Sequence, residues 1–125
     1  MQQQNNSKYR FTIVIPLYNE RENIALLSKV LTHYLHHSLF ETCILFVDDG
    51  SDDGGFPLLK AACAQEERFC YIRLVGNSGL STALKAGFDA VETEYVGYMD
   101  ADMQTTPDDF DSLLPYIDKY TMVTG

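Results

Sequence analysis

The sequence predicts an α/β protein with a Rossmann-like, mostly parallel β-sheet that carries helices on both faces. Two observations predict this fold class. Five short apolar runs have the length of buried strands, and the segments between them have the three- and four-residue apolar spacing of amphipathic helices. Strands that alternate with helices form parallel sheets, because each connecting helix packs back onto the sheet. The chain of 125 residues is long enough for one such domain with its own core.

The predicted strands are short and rich in β-branched and aromatic residues. They cover Phe11–Pro16, Ile44–Val47, Tyr71–Val75, Tyr95–Met99 and Tyr120–Thr124. Proline has no N–H to contribute to a ladder, so we expect the first strand to end at Pro16. Residues 1–10 are mostly polar, and we expect them to be a disordered or frayed tail before a single domain of residues 11–125.

Four helices are predicted between and after these strands. They cover Glu20–His37, a segment from about Asp53 through Cys63, about Ser81–Val91, and Thr106–Ile117. Asn19 and Glu22 have the spacing of a capping box at the start of the first helix. In the third helix, Leu84, Phe88 and Val91 are expected to face the sheet.

The formal net charge of -9 makes nucleic acid and anionic membrane surfaces unlikely partners. An anionic ligand such as a diphosphate would need a cation with it, and a divalent metal is the obvious one. The three cysteines are odd in number and lack C-x-x-C spacing, which argues against a disulfide framework and a zinc site and favours a reducing, cytoplasmic setting. No signal peptide or membrane-spanning segment is expected in this chain.

Ligands of such sheets bind at the carboxyl ends of the strands, so the residues after each strand matter most. The first strand is followed by PLYNE, in which Tyr18 offers a ring for stacking, and the G-x-G-x-x-G of a dinucleotide site is absent. The second strand runs directly into Asp48. A buried carboxylate is costly without a partner, so we expect Asp48 to accept a hydrogen bond from a ligand, such as a base N–H or a ribose hydroxyl. A turn and a helix cap explain the rest of that acidic loop.

A D-x-D sequence, Asp100 and Asp102, follows the fourth strand. Residues two apart in extended backbone point to the same side, so the two carboxylates can converge on one cation, with Gln104 near enough to help. Carboxylate and amide oxygens suit Mg²⁺ or Mn²⁺. His33 and His37 also have a metal-ligand spacing, but an exposed helical face explains them better.

Four segments in this order resemble the family 2 glycosyltransferases, which have the GT-A fold. The segments are VIPLYNE (Val14–Glu20), FVDDGSDDG (Phe46–Gly54), NSGLSTALKAGF (Asn77–Phe88) and YMDADMQTTP (Tyr98–Pro107). The D-A-D-M-Q form followed by proline is most similar to the polyprenyl-phosphate branch, which includes dolichol-phosphate mannosyltransferase and undecaprenyl-phosphate sugar transferases.

The resemblance implies a partial GT-A fold and a metal-dependent, inverting glycosyltransferase of the hexosyltransferase type. It implies a UDP- or GDP-sugar donor and an acceptor that is a polyprenyl phosphate or another cell-envelope glycan. The implied nucleotide-binding residues are Pro16, Tyr18, Glu20, Asp48 and Asp100, with Asp48 at the base. The implied ligands of Mg²⁺ or Mn²⁺ are Asp100, Asp102 and Gln104.

The chain departs from the family pattern at its end, because family members continue beyond Gly125 with an acceptor-binding half. We therefore expect a donor-binding half that holds nucleotide and metal but transfers slowly or not at all, and no catalytic residue is assigned. The expected localisation is cytoplasmic, at the cytoplasmic face of the membrane for a full-length protein. A truncated sheet with an open edge also favours self-association.

Two other classes of protein share this architecture. A receiver-type phosphoacceptor domain places its acidic pair after the first strand, where this chain has PLYNE, and it needs a lysine after the last strand. A sugar nucleotidyltransferase needs a glycine-rich, basic phosphate loop after the first strand, and that loop is absent as well.

Overall fold

A single sheet of five parallel strands organises the chain, with the strand order β3-β2-β1-β4-β5. The computed structural model describes residues 8–38, 40–76, 78–102 and, for the backbone alone, 122–124. The elements are β1 (Phe11–Leu17), α1 (Arg21–Leu35), β2 (Thr42–Asp48), α2 (Gly55–Gln65), β3 (Phe69–Arg73), α3 (Leu80–Ala90), β4 (Tyr95–Tyr98) and β5 (Met122–Thr124). The predicted fold class is confirmed.

The direction in which strands are added reverses at β1. The chain builds β2 and then β3 on one side of β1, and it returns to place β4 and β5 on the other side. Side chains of β1 alternate between two cores: Ile13 and Ile15 pack into the larger one, beneath α1 and α2, and Val14 packs into the smaller one, beneath α3. Helices therefore cover both faces, as predicted.

The apolar face of α1 matches its predicted spacing, but its beginning does not match the predicted capping box. Asn19 has a left-handed φ of 54°, and its side chain accepts a hydrogen bond from the Asp52 N–H instead of capping the helix. The N-cap residue is Glu20, which makes no side-chain capping bond. The first helical N–H, that of Arg21, instead donates to Asp53 Oδ2 at 3.0 Å. The cap of α1 thus comes from a loop about thirty residues away in sequence.

Small residues, not large ones, make the closest contact between α3 and the sheet. Ala83 and Gly87 are the buried positions of α3, whereas the predicted inward residues, such as Phe88, are only partly buried around them. A Cβ atom added to Gly87 would lie 2.5 Å from Val14 Cγ1 and 3.0 Å from Val47 Cγ2. Glycine at this position lets the helix axis approach the sheet.

Several element bounds differ from the predictions. β1 continues through Pro16 to Leu17, and β3 begins two residues earlier than predicted, because Phe69 and Cys70 belong to its buried part. α2 begins at Gly55, since Asp53 is engaged in the cap of α1 and bonds the Gly55 N–H. The predicted helix over Thr106–Ile117 lies outside the described residues.

Residues just before Phe11 also pack against the domain. Tyr9 is buried, the Arg10 N–H donates to the Glu41 carbonyl, and the Arg10 guanidinium pairs with Glu94. The predicted tail of residues 1–10 therefore reaches too far into the domain, and residues 1–7 lie outside the described part. Of the helices described, none is both long enough and apolar enough to cross a membrane.

Candidate functional site

A cleft of about 260 Å³ opens at the carboxyl ends of β1, β2 and β4, beside the start of α3. This position is where strand addition reverses at β1, the place at which open parallel sheets bind their ligands. The cleft is lined by Pro16, Leu17, Tyr18, Glu20, Asp49, Gly79, Leu80, Ala83, Asp100, Ala101 and Asp102.

The structure brings five of the residues expected at a site together in this cleft. They come from the segments after β1 and β4, which are far apart in sequence, and they are Pro16, Tyr18, Glu20, Asp100 and Asp102. Tyr18 is exposed at the cleft, as a stacking side chain would need to be. Gln104, the third expected metal ligand, lies outside the described residues.

Pro16 helps to explain why the cleft exists. The Met99 N–H donates to the Val14 carbonyl, so the backbone groups on the Val14 side of β1 point toward β4. The next ladder bond toward β4 would need an N–H from Pro16, which proline lacks. Pairing between β1 and β4 therefore ends at this point, while β1 remains paired with β2 as far as Leu17 and Asp48. The segment after β4 is released from the sheet and forms one wall of the cleft.

Asp100 and Asp102 lie in that released segment, where the backbone enters a turn at Ala101 instead of remaining extended as predicted. The alternation of sides nevertheless continues past the strand. Met99 and Ala101 are buried in the larger core, and Asp100 and Asp102 are exposed and line the cleft. Both carboxylates thus face the same space, as the D-x-D spacing suggested.

Asp48 does not line the cleft, contrary to its expected ligand-facing role. Its side chain is fully buried and follows Ile44 and Phe46 on the face of β2 that packs beneath α1 and α2. There its carboxylate accepts hydrogen bonds from Ser51 N and Ser51 Oγ and lies 3.3 Å from Arg73 Nε. These protein groups compensate for the cost of burying the Asp48 charge, so no ligand is needed to explain the burial of this residue.

Asp49 is the acidic cleft residue that the sequence interpretation missed. It follows Leu45 and Val47 on the opposite face of β2, toward α3, and its carboxylate accepts hydrogen bonds at 2.9 Å from the N–H groups of Ser78 and Gly79. These N–H groups precede α3, where a negative charge is favourable. The two-residue period of a strand could have predicted the position of Asp49, because it places the adjacent residues Asp48 and Asp49 on opposite faces of the sheet.

The electrostatics of the cleft are one-sided. Four of its described lining residues carry carboxylates, namely Glu20, Asp49, Asp100 and Asp102, and none of the described lining residues is Lys, Arg or His. An anionic ligand cannot enter such a cleft favourably without a cation of its own. The cleft therefore suits a ligand that arrives with a metal.

The donor set fits a divalent cation of the Mg²⁺ or Mn²⁺ type. No cluster of three or more His, Cys, Asp or Glu side chains suited to a metal occurs among the described residues. Mg²⁺ in particular is commonly held by one or two carboxylates together with the phosphates of a substrate. Asp100 and Asp102 supply that number, whereas His33 and His37 pack ring against ring on the exposed end of α1.

The parallel sheet with a cleft at its switch point defines a doubly wound α/β domain. The profile of the family "Glycosyl transferase family 2" matches residues 12–125. The chain belongs to this family. Its membership decides against the receiver-type domain and the sugar nucleotidyltransferase.

Individual proteins similar to the chain agree with the family. An undecaprenyl-phosphate 4-deoxy-4-formamido-L-arabinose transferase from Pseudomonas fluorescens (strain SBW25) is 35% identical over 104 residues, which are 82% of this chain and 30% of that protein. The chain thus spans about 30% of the length of this curated relative.

Two solved structures share the fold. One is a mannosyltransferase from Pyrobaculum calidifontis in complex with GDP-Man and Mn²⁺, with a TM-score of 0.66 and 19% identity over 81% of this chain and 30% of that one. The other is S. aureus TarS, with a TM-score of 0.63 and 24% identity over 74% of this chain and 16% of that one. The fold is the predicted partial GT-A fold.

Proposed function

We propose that the cleft is the donor site of a metal-dependent, inverting glycosyltransferase that uses a nucleoside-diphosphate sugar. The observation that carries this proposal is the cleft at the sheet's switch point, whose described lining has four carboxylates and no basic side chain. A diphosphate is strongly anionic, and a divalent cation would offset the repulsion. The solved mannosyltransferase that shares this fold holds GDP-Man together with Mn²⁺.

In this proposal Asp100 and Asp102, with Gln104, hold the cation beside the diphosphate. When bound, the cation would stabilise the charge that develops on the leaving diphosphate. Tyr18 and Pro16 border the nucleoside, with the Tyr18 ring available for stacking. Asp49, not Asp48, is the acidic residue of the β2 loop that faces the nucleotide, because it alone of the two lines the cleft.

The proposed acceptor is a polyprenyl phosphate or another cell-envelope glycan acceptor. The arabinose-derivative transferase that is 35% identical acts, by its name, with undecaprenyl phosphate. The acceptor oxygen attacks the anomeric carbon from the face opposite to the diphosphate, which inverts that centre. A phosphate oxygen is already anionic, so it needs little help from a general base.

The donor site is tested by calorimetric titration with UDP and GDP, each with and without Mn²⁺. We expect one nucleotide to bind only when Mn²⁺ is present, and Asp100→Asn and Asp102→Asn to weaken this binding at least about tenfold, since each removes a charged ligand. Asp89→Asn is the matched control: it removes the same charge from an exposed position on α3 outside the cleft, where Asp89 pairs with Lys85.

Three outcomes would contradict the donor-site proposal. They are binding that does not depend on the metal, affinity that survives both cleft substitutions, and a folded chain that binds neither nucleotide. The acceptor class is tested separately, by offering undecaprenyl phosphate and undecaprenol with the donor that the titration identifies. Because this chain is expected to transfer slowly at most, we expect any transfer to go to the phosphate and none to the alcohol, and equal transfer to both would rule out recognition of the phosphate.

A further inference from the structure

Arg73 ends β3 and is not among the residues that line the cleft. We propose that Arg73 is a positioning residue for the nucleotide: through Asp48 and Ser51 it holds the loop that carries Tyr18 and Glu20. This inference rests on the proposed donor function of the cleft. It predicts that nucleotide affinity depends on a guanidinium that lies outside the binding surface.

The Arg73 guanidinium is fixed by three different contacts. Its Nε lies 3.3 Å from Asp48 Oδ2, its Nη2 donates to the Ser51 carbonyl at 2.8 Å, and its central carbon lies 4.0 Å from the centroid of the Phe56 ring. A planar guanidinium uses its edge for hydrogen bonds and its face for the ring, so these contacts together determine its orientation. The Asp48 side chain is 0% exposed, so Arg73 is the cation that this buried charge has.

The second step leads from Asp48 to the loop after β1. Ser51 Oγ donates to Asp48 Oδ1 at 2.5 Å and accepts from the Asn19 N–H at 2.9 Å. Asn19 has a φ of 54°, a left-handed conformation that asparagine tolerates better than most residues, and its neighbours hold it there. The Ser51 bond and the bond from the Asp52 N–H to Asn19 Oδ1 provide that hold.

The third step leads from Asn19 into the cleft. Asn19 stands between Tyr18 and Glu20, and both of these line the cleft. Asp48 likewise precedes Asp49, which also lines it. Without the guanidinium, Asp48 would be a buried charge without a cation, and it would have to recruit water or turn away, which moves Ser51. The displacement would reach the lining residues on either side of Asn19.

Arg10 provides a control that separates positioning of the cleft loop from a purely stabilising role of Arg73. It makes the same kinds of contact at the opposite end of the sheet. Arg10 lies 3.1 Å from Glu94 Oε1 and 4.4 Å from the Phe40 ring centroid. Its side chain is 51% exposed, compared with 42% for Arg73. Arg10→Gln therefore removes an ion pair and a ring contact of the same kinds without any connection to the cleft, although its partner Glu94 is 29% exposed and Asp48 is fully buried.

The test compares the unaltered chain with Arg73→Gln, Arg73→Lys and Arg10→Gln, by titration with UDP and GDP in the presence of Mn²⁺. All are measured at a temperature at which circular dichroism shows each variant folded. We expect Arg73→Gln to bind about tenfold more weakly, the scale on which residues that contact no ligand modulate binding. Arg73→Lys should recover part of the loss, and Arg10→Gln should bind like the unaltered chain.

A second measurement, titration with Mn²⁺ alone, separates positioning from general damage. Asp100 and Asp102 lie on the opposite wall of the cleft, so Arg73→Gln should leave the affinity for Mn²⁺ alone unchanged while it weakens the nucleotide. Equal nucleotide affinity for Arg73→Gln and Arg10→Gln would overturn the inference. So would a parallel loss of Mn²⁺ and nucleotide affinity.

If Arg73→Gln does not fold, Ser51→Ala tests the same chain of contacts with Arg73 in place. It removes the hydroxyl between Asp48 and Asn19, and we expect it to weaken nucleotide binding severalfold, with Ser28→Ala on α1 as its control. Full affinity in Ser51→Ala would overturn the inference. An unaltered chain that binds no metal–nucleotide would instead contradict the donor-site proposal itself, so the two failures differ.

Discussion

The two ends of the sheet use acidic residues in opposite ways. At the amino end three acidic side chains are paired with basic ones: Arg68 bonds Glu66 through two nitrogens, Arg10 pairs with Glu94, and Lys8 lies near Glu67. At the carboxyl end four carboxylates line one cleft, and no described residue of its lining is basic. The same short strands connect the two ends, so the difference in charge pairing arises from the loops at each end.

This difference shows at which end of the sheet the fold places like charges close together, an arrangement that is electrostatically unfavourable. Like charges gathered in one cleft oppose folding, whereas paired charges do not. Proteins keep such local conflicts mainly at functional sites, where a ligand relieves them. At the carboxyl end the buried charge of Asp48 is paired with Arg73, which does not line the cleft, so this structural charge is neutralised within the protein.

The largest effect on stability is expected at the buried pair. Asp48→Asn leaves Arg73 beside a neutral amide, and breaking a buried pair costs about 3–5 kcal/mol. Because Arg73 is 42% exposed and can regain water, we expect about 2–3 kcal/mol in urea unfolding. Glu94→Gln at the amino end is the control and should cost about 0–1 kcal/mol, as surface pairs do. Equal losses would mean that the two ends do not differ as described.

The next effect concerns the close approach of two loops at the carboxyl end. Gly50 has a φ of 80°, and a Cβ there would lie 2.8 Å from the carbonyl carbon and oxygen of Gly76. We expect Gly50→Ala to destabilise the chain by about 2 kcal/mol, from left-handed strain and displacement of the loop. Gly76→Ala has the same sign of φ but open space around its Cβ, so it should cost only about 1 kcal/mol. Thermal unfolding of both variants measures the difference, and identical values would exclude the steric part.

The smallest effect is a pH dependence at the amino end. The hydrogen bonds from Arg68 lower the pKa of Glu66 below its model-compound value of 4.5, despite partial burial. A carboxyl group with a lowered pKa in the folded state stabilises the protein above its unfolded-state pKa and loses that contribution as pH falls through the folded-state value. We expect Glu66→Gln to cost about 1 kcal/mol at pH 7 and progressively less below about pH 4.5. Urea unfolding between pH 3 and 7 measures this difference, and a cost that grows toward acid would contradict the sign.

The fold was predictable from the sequence because its signals are local. The apolar face of α1, with Leu27 and Leu31, and the strand-length runs of β1 and β2 appear directly in the residue spacing. Element ends were less predictable, because they depend on partners elsewhere. Pro16 ends the pairing with β4 but not the strand itself, since β2 continues to pair on the other side.

The roles of individual acidic residues were the least predictable part. Asp48 and Asp49 are chemically identical neighbours, and only the face of β2 that each occupies separates a buried structural carboxylate from a cleft carboxylate. Asp53 was interpreted as the start of α2, yet it also caps α1, about thirty residues earlier. Such partners come from the loops that the sheet brings together, and no spacing within one segment encodes them.

The loop after β2 also links the start of every described helix. Asp53 accepts from the N–H of Arg21 in α1 and from that of Gly55 in α2, and Asp49 accepts from the two N–H groups that precede α3. The starts of α1 and α3 thus obtain their carboxylates from residues about thirty positions away, whereas Asp53 reaches the start of α2 from two residues away. One loop therefore supplies a carboxylate to all three helix starts and to the lining of the cleft, so the shape of the cleft depends on contacts between segments and cannot form on any one helix alone.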